Sequence, residues 1–205
     1  WLMNNLEGWG GPNTDSWYES RIALQKKILK RMHEYGIQPI LPGYSGMLPH
    51  NAREKLGVNV TDPGTWNGYN RPAFLQPTDE RFQEIAELYY KEMNRLFGKA
   101  DYYSMDPFHE GGKVAGVDLD AAGQAIWKAM KKNNPNATWV IQAWGANPRP
   151  QMIKNIPKGD LIVLDLYSES RPQWGDPEST WYRKNGFDGH QWLYCMLLNY
   201  GGNVG

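Results

Sequence analysis

Apolar residues along the chain follow two patterns, short continuous runs and longer stretches of helical spacing. Between the runs, apolar residues recur every three or four positions, which predicts helices that begin near Ser16, Thr78 and Asp118, with Ser16 and Asp118 as the predicted amino-terminal caps. Runs without polar alternation are typical of parallel strands that are covered on both faces, so the pattern predicts an α/β fold. Five such runs predict strands, at residues 37–41, 101–106, 139–143, 161–166 and 191–197.

Polar and aromatic residues follow the predicted strands, where each strand ends. In a (β/α)8 TIM-type barrel the functional site is built from the loops at the carboxyl ends of the strands. A doubly wound open sheet would place these residues similarly, but it would also carry a glycine-rich phosphate-binding loop. The sequence contains neither a G-x-G-x-x-G motif that opens a helix nor a G-x-x-x-x-G-K-[ST] motif. We therefore expect a barrel. The residues that set this pattern are Tyr44, His109, Glu110, Trp144, Glu169 and Asn199.

The number of strands predicts an incomplete barrel. A full barrel takes about 250 residues, whereas this chain has 205 and about five strands. We expect residues 1–205 to form a partial catalytic barrel domain that lacks the first strands and the last strand. Residues 45–77, rich in Pro, Gly and Asn, predict a long loop, which is usually functional or part of a lid.

Charge and composition narrow the possible partners. Lys and Arg number 22, as do Asp and Glu, so the chain offers no net field for nucleic acid or an anionic membrane. No apolar run is long enough to span a bilayer. The one cysteine, Cys195, excludes an internal disulfide, and its apolar neighbours predict a buried strand residue.

Aromatic residues are abundant: the chain has 10 Trp and 12 Tyr. Several tryptophans, such as Trp66, Trp144 and Trp174, stand beside Gly, Pro or Asn and therefore on predicted loops. A loop tryptophan can anchor its loop, or it can offer a flat apolar face and an N–H donor. The second role suits a sugar, which has C–H faces and a belt of hydroxyl groups.

Two glutamates at strand ends are the candidate catalytic groups. Glu110 and Glu169 each follow an aspartate by four positions, Asp106 and Asp165. Glycoside hydrolysis needs two carboxyl groups that flank the scissile bond, and strand ends would hold them rigidly. The plainer interpretation makes both glutamates surface loop residues. The aspartates would either orient the glutamates from behind or bind loop backbone.

Two other functions use the same features. A non-catalytic carbohydrate-binding module would explain the loop tryptophans equally well, although it leaves the paired glutamates without a role. A metal-dependent barrel hydrolase would use carboxylates and imidazoles at strand ends, but no H-x-H or H-E-x-x-H spacing occurs. Its ligands would come from His50, Asp106, His109, Glu110, Asp165 and Glu169.

Several segments, taken in order, resemble the α-N-acetylglucosaminidases of glycoside hydrolase family 89, the family of the lysosomal enzyme that trims heparan sulfate. Their order and spacing together carry the resemblance. They are residues 5–12 (NLEGWGGP), 41–42 (LP), 58–61 (VNVT), 64–66 (GTW), 106–110 (DPFHE), 141–144 (IQAW), 164–172 (LDLYSESRP) and 192–203 (WLYCMLLNYGGN).

The resemblance implies a catalytic barrel with flanking helical domains that this chain lacks, and hydrolysis of terminal α-linked N-acetylglucosamine with retention of configuration. Glu110 matches the general acid/base and Glu169 the nucleophile. Met3, Trp66 and Trp144 match residues that line the sugar pocket. His109 stands where an Asn is expected, and its imidazole can still donate a hydrogen bond.

No cofactor is expected, and the expected partner is a glycan that ends in N-acetylglucosamine. Enzymes of this kind act outside the cytoplasm. Low cysteine content and lysine-rich helices favour a bacterial exported enzyme, periplasmic, surface-bound or extracellular, with a lysosomal location if the source is eukaryotic. The sequons at Asn59 and Asn136 would matter only in a eukaryotic secretory route.

Overall fold

The structure is a computed structural model that describes Glu7 and residues 13–108 and 114–196. The helices of this part are α1 (Asp15–Glu34), α2 (Ala52–Leu56), α3 (Phe82–Phe97), α4 (Leu119–Asn133) and α5 (Pro150–Ile153). The strands are β1 (Ile40–Pro42), β2 (Met47–Leu48), β3 (Val60–Thr61), β4 (Thr65–Trp66), β5 (Tyr69–Asn70), β6 (Ala73–Leu75), β7 (Tyr102–Ser104), β8 (Thr138–Ala143), β9 (Leu161–Leu166) and β10 (Gln191–Cys195).

A five-stranded parallel sheet forms the centre of the molecule, with strand order β1-β7-β8-β9-β10. Adjacent strands pair in parallel register, for example Tyr103 with Trp139 and Val140 with Ile162. Each of the five predicted strands is present at or close to its predicted position. Consecutive parallel strands joined through helices are the arrangement of a β/α barrel wall, and this part of the wall does not close on itself.

Helices α3 and α4 cover the outer face of the sheet. Phe82 of α3 and Ile126 and Met130 of α4 are fully buried, as are Trp139 of β8 and Val163 of β9. All five belong to one continuous core. Burying each such side chain contributes about 1.5–3 kcal/mol, so this layer fixes the strands and thereby the loops that follow them.

The ends of the helices confirm one sequence-based expectation and correct two. Asp118 caps α4, accepting a hydrogen bond from the Ala121 N–H at 3.0 Å. Thr14 rather than Ser16 caps α1, because its hydroxyl accepts from the Trp17 N–H at 3.3 Å. The third helix begins at Phe82, beyond the predicted start at Thr78.

Residues 45–77 are structured, and the prediction of a long loop is wrong for this segment. It contains α2, a small antiparallel sheet in the order β2-β6-β3, and the hairpin β4–β5. Strands of two or three residues are too short to give a periodic signal in sequence. The segment follows β1 along the chain, so it starts at the carboxyl edge of the parallel sheet, where a barrel carries its site.

Strand β10 is more exposed than its apolar sequence predicts. Four of its five residues are exposed, and Cys195 is only half-buried, which corrects the expectation of a buried cysteine. The physical reason is its position: β10 pairs with β9 on one side, and in the described residues no strand pairs with its other side.

Candidate functional site

The predicted site residues that the structure describes lie at or just beyond the carboxyl ends of the parallel strands, or in the segment inserted after β1. Trp144 directly follows β8, and Glu169 lies in the turn after β9. Trp66 lies in β4, within the inserted segment. Met3, His109 and Glu110 fall outside the described residues.

Glu169 lies in a tight turn that begins at Tyr167, whose φ of 71° is in the left-handed region. The Arg171 N–H donates to the Tyr167 carbonyl at 2.8 Å, and the Ser168 N–H donates to the Cys195 carbonyl of β10 at 3.0 Å. The turn is therefore attached both to itself and to the neighbouring strand. The side chain of Glu169 is half-buried.

Asp165 lies beneath this turn and is completely buried. Its two carboxylate oxygens accept from the Gln173 N–H at 3.1 and 2.9 Å. Burial raises the pKa of the Asp165 carboxyl, and the N–H groups of Gln173 and Trp174 and the charge of Arg183 offset only part of that rise. Asp165 thus fixes the path of the chain that leaves the Glu169 turn.

Gln173 joins the loops that follow β8 and β9. Its side-chain amide is buried and donates to the carbonyls of Gly145, at 3.0 Å, and Asn147, at 3.2 Å, while its oxygen accepts from the Arg183 guanidinium. Burial lowers the pKa of Arg183 to about 10, although the charges of Asp188 and Asp165 oppose this effect. We call Asp165, Gln173 and Arg183 the loop clamp.

An aromatic cluster lies where the β8 and β9 loops meet. The rings of Trp144 and Tyr167 stack at a centroid distance of 6.0 Å, and Trp181 meets Trp144 at 4.9 Å and 62°. The Arg171 guanidinium lies 5.6 Å from the Trp181 ring centroid. Trp144 is half-buried, so it both anchors the loop and remains partly accessible.

Asp106 binds backbone in the same way as Asp165. Its Oδ1 accepts from the Gln142 N–H of β8 at 2.8 Å. Of the two roles predicted for the aspartates, binding of backbone is therefore observed at both positions. Orientation of Glu110 by Asp106 stays a prediction, because Glu110 lies outside the described residues.

The chain that leads to His109 and Glu110 is held by the inserted segment. Phe108 directly precedes His109 and packs on Phe74 of β6 with ring centroids 5.2 Å apart. Its φ of 64° turns the backbone at this point. The inserted segment and the loop after β7 are therefore in contact immediately before the predicted acid/base.

The hairpin β4–β5 presents Trp66 to solvent, with 43% of its surface exposed. The Arg71 guanidinium lies 5.4 Å from the centroid of the Trp66 ring. Next to the base of the hairpin, His50 lies between two carboxylates, those of Glu7 and Asp62. Within the described residues, which do not include His109 or Glu110, groups of three or more side chains that could hold a metal ion are absent.

Comparison with known proteins gives the family. The family model described as the alpha-N-acetylglucosaminidase (NAGLU) TIM-barrel domain matches residues 1–205. This chain belongs to that family. The human α-N-acetylglucosaminidase is 32% identical over 219 residues, an alignment that covers 99% of this chain and 28% of the human enzyme. Membership confirms the predicted family and the predicted barrel fold.

Solved structures of family 89 glycoside hydrolase from Clostridium perfringens share the fold of this family member. A complex with 2-acetamido-1,2-dideoxynojirmycin has a TM-score of 0.79 at 37% identity. A variant with two Glu-to-Gln substitutions, in complex with its substrate GlcNAc-α-1,4-galactose, has a TM-score of 0.79 at 36% identity. Each match covers 84% of this chain and 20% of the other. The chain thus spans under a third of the length of these relatives.

Three residues of this α-N-acetylglucosaminidase family domain were missed from sequence. Gln173, Arg183 and Trp181 contact the loops that carry Trp144 and Glu169, yet all three lie in an irregular segment between β9 and β10. A side chain that bridges two loops leaves no periodic pattern. The only sequence signal was the placing of Trp174 beside Gly175 on a predicted loop, and Trp181, between Thr180 and Tyr182, lacked even that.

Proposed function

We propose that this chain supplies one wall of the active site of an enzyme that hydrolyses terminal α-linked N-acetylglucosamine with retention of configuration. The observation that carries the proposal is the match to a family 89 chain of the same fold that holds GlcNAc-α-1,4-galactose as its substrate. The position of Trp144 and Glu169 at the carboxyl edge of the sheet supports it, because barrels carry their sites there.

The proposed reaction is a double displacement. Protonated Glu110 donates its proton to the glycosidic oxygen while a carboxylate, with Glu169 as the sequence-based candidate, attacks the anomeric carbon. The C–O bond to the leaving group breaks and a glycosyl-enzyme forms. Glu110 then takes a proton from water, whose oxygen attacks the same carbon and releases the sugar. The two carboxyl groups of a retaining enzyme lie about 5–5.5 Å apart.

One observation favours a different carboxylate, rather than Glu169, as the nucleophile. The two Glu-to-Gln positions of the substrate-bound Clostridium variant lie twice as far apart along its chain as Glu110 and Glu169 do here. Matching both pairs would need an insertion as long as the whole intervening segment. The competing nucleophile is a carboxylate supplied by a part of the protein beyond residue 205, with Glu169 then lining the site from the β9 turn.

The activity is tested in the full-length protein that contains this chain, with GlcNAc-α-1,4-galactose as substrate. We expect release of α-N-acetylglucosamine as the first-formed anomer, and a loss of about 10²–10⁴-fold in kcat for Glu110→Gln, because that change removes the proton donor. Anomer-resolved NMR of the fresh product measures the stereochemistry. Glu178→Gln is the control, since Glu178 is exposed in the same loop region as Glu169.

The nucleophile is identified with azide. In a variant that lacks the nucleophile, azide attacks from the vacated face and gives the β-glycosyl azide. In one that lacks the acid/base, azide attacks the glycosyl-enzyme and gives the α-glycosyl azide. A β-azide from Glu169→Ala would establish Glu169 as the nucleophile, and its absence would favour the carboxylate beyond residue 205.

The unaltered protein tests the two other functions. Binding of the sugar without turnover would favour a binding module, and activity that is lost on chelation would favour the metal enzyme.

The proposed location is outside the cytoplasm, exported in a bacterium or lysosomal in a eukaryote. In the part of the chain that the structure describes, no helix combines the length and apolar character needed to cross a bilayer. Asn59 and Asn136 are exposed, as acceptor asparagines would have to be. The proposed physiological substrate class is a glycan with a non-reducing terminal α-N-acetylglucosamine.

A further inference from the structure

We propose that Glu7, His50 and Asp62 form an ionic latch that holds the β4–β5 hairpin, and with it Trp66, in place beside the sugar site. These three are positioning residues, since they act on the substrate only through the hairpin. The inference rests on the proposed function for its effect on catalysis, whereas the latch itself follows from the contacts of the described residues.

Glu7 binds His50 through both of its carboxylate oxygens. One oxygen accepts from the His50 backbone N–H at 3.0 Å, and the other lies 2.6 Å from the imidazole Nδ1. On the opposite side of the ring, Nε2 lies 3.5 Å from Asp62 Oδ1. An imidazole that carries both N–H groups can donate on both sides at once, so the protonated form of His50 fits this position best.

Two members of the latch are attached directly to the hairpin. The Glu7 N–H donates to the Asn70 carbonyl of β5 at 2.6 Å, which adds Glu7 as an antiparallel bridge beside the hairpin. Asp62 Oδ1 accepts from the Gly64 N–H at 2.7 Å, and Gly64 closes the hairpin base by accepting from the Arg71 N–H at 2.9 Å. His50 therefore joins the two sides of the hairpin base.

The hairpin needs such an attachment because it has little packing of its own. All four residues of β4 and β5 are exposed, and each strand has only two residues. An isolated two-stranded hairpin is marginally stable at best in water. His50, by contrast, lies beside the amino end of α2 and follows β2, so it belongs to the better-packed part of the inserted segment.

Burial alone would lower the pKa of His50, but the hydrogen bonds and charges of Glu7 and Asp62 outweigh it and raise the pKa. Among the described residues, the charged groups in ion-pair contact with the ring are the carboxylates of Glu7 and Asp62. The pKa supports the geometry, because a raised value means that the folded protein favours the charged imidazole.

A held hairpin affects substrate binding more than chemistry. Trp66 presents an exposed ring at a position predicted to line the sugar pocket. If the hairpin is released, the ring samples many positions and substrate binding weakens, while the groups that transfer the proton stay where they are. The latch therefore predicts a rise in KM with kcat nearly unchanged.

The test uses the full-length protein and four forms of it: unaltered, Glu7→Gln, His50→Gln and the double variant. Hydrogen exchange of peptides within residues 62–71 reports on the hairpin without reference to activity. We expect about 5-fold faster exchange there in each single variant, a KM for GlcNAc-α-1,4-galactose raised about 5-fold, and kcat within about 2-fold. Glu54→Gln, at an exposed site on α2, is the matched control.

The double variant shows whether Glu7 and His50 act through their mutual contact or affect hydrogen exchange independently. If Glu7 and His50 act through one contact, the double variant exchanges no faster than the more affected single variant. Additive effects, or unchanged exchange in both single variants, would overturn the latch. Should a variant unfold, Asp62→Asn gives a milder test, since it removes the charge beside Nε2. An unaltered protein without glycosidase activity would contradict the proposed function, while the exchange data would still decide the latch.

Discussion

The β9 turn and the β4–β5 hairpin carry two predicted site residues, Glu169 and Trp66, and they are held in opposite ways. The turn is fixed from below by the buried loop clamp. The hairpin is fixed from the side by partly exposed charged groups, with about a third of the Glu7 and His50 side chains accessible.

Within the proposed site, the difference implies a division of tasks. Buried hydrogen bonds to backbone have little competition from water, and leaving them unmade is costly, so they hold a group in one geometry. Exposed ion pairs contribute about 0–1 kcal/mol and weaken with salt, so they hold a segment that can still move. A rigid carboxylate suits bond breaking, and an adjustable aromatic wall suits substrate entry.

The largest expected effect comes from removing the acceptor of the loop clamp. Asp165→Ala leaves the buried N–H groups of Gln173 and Trp174 without their partner, which costs about 2 kcal/mol after allowing for the buried carboxylate that is also removed. That cost corresponds to about 30-fold faster hydrogen exchange in residues 165–175 of the full-length protein. Asp101→Ala, at an exposed aspartate before β7, is the control. Equal exchange in both variants would mean that the clamp does not hold the turn.

The sequence predicted the strand ends that carry Trp144 and Glu169, but it did not predict the loop clamp that holds their loops. The strand ends were predictable because each parallel strand is a largely apolar run that stops at polar or aromatic residues, and the barrel rule then places Trp144 and Glu169 together. The loop clamp could not be predicted, because its Gln173 side chain contacts Gly145 and Asn147, which lie in a different loop. A contact between distant parts of the chain leaves no mark in local pattern.

The inserted segment was missed for a related reason. Val60 and Leu75 pair across the small antiparallel sheet, but strands this short have too few positions for alternation to show. For Cys195 the prediction was partly wrong. Its apolar neighbours correctly predicted a strand, but they incorrectly predicted that the side chain is buried. Strand identity follows from local sequence, whereas burial depends on which elements pack against the strand.

An intermediate effect is expected from pH, and it should separate the two regions. Because the folded protein raises the pKa of His50 above its ordinary value of 6.5, the latch is fully formed below that value. Its contribution is lost as pH rises through the folded pKa. Hydrogen exchange within residues 62–71, corrected for the intrinsic pH dependence of exchange, should therefore quicken as pH rises through the folded pKa, and His50→Gln should remove that step. The same step in residues 165–175 would show that the regions are not held separately.

The smallest expected effect concerns Arg71, whose guanidinium lies 5.4 Å from the Trp66 ring. At an exposed site such a contact contributes about 0.5–1 kcal/mol, so Arg71→Gln should raise KM for GlcNAc-α-1,4-galactose by about 2–5-fold and leave kcat unchanged. Arg171→Gln is the comparison, because Arg171 lies 5.6 Å from Trp181 in the aromatic cluster beside the loop clamp. The rings of Trp144 and Tyr167 already hold Trp181, so this second change should alter KM less. A larger effect at Arg171 would mean that the aromatic cluster, and not the hairpin, is the adjustable wall of the site.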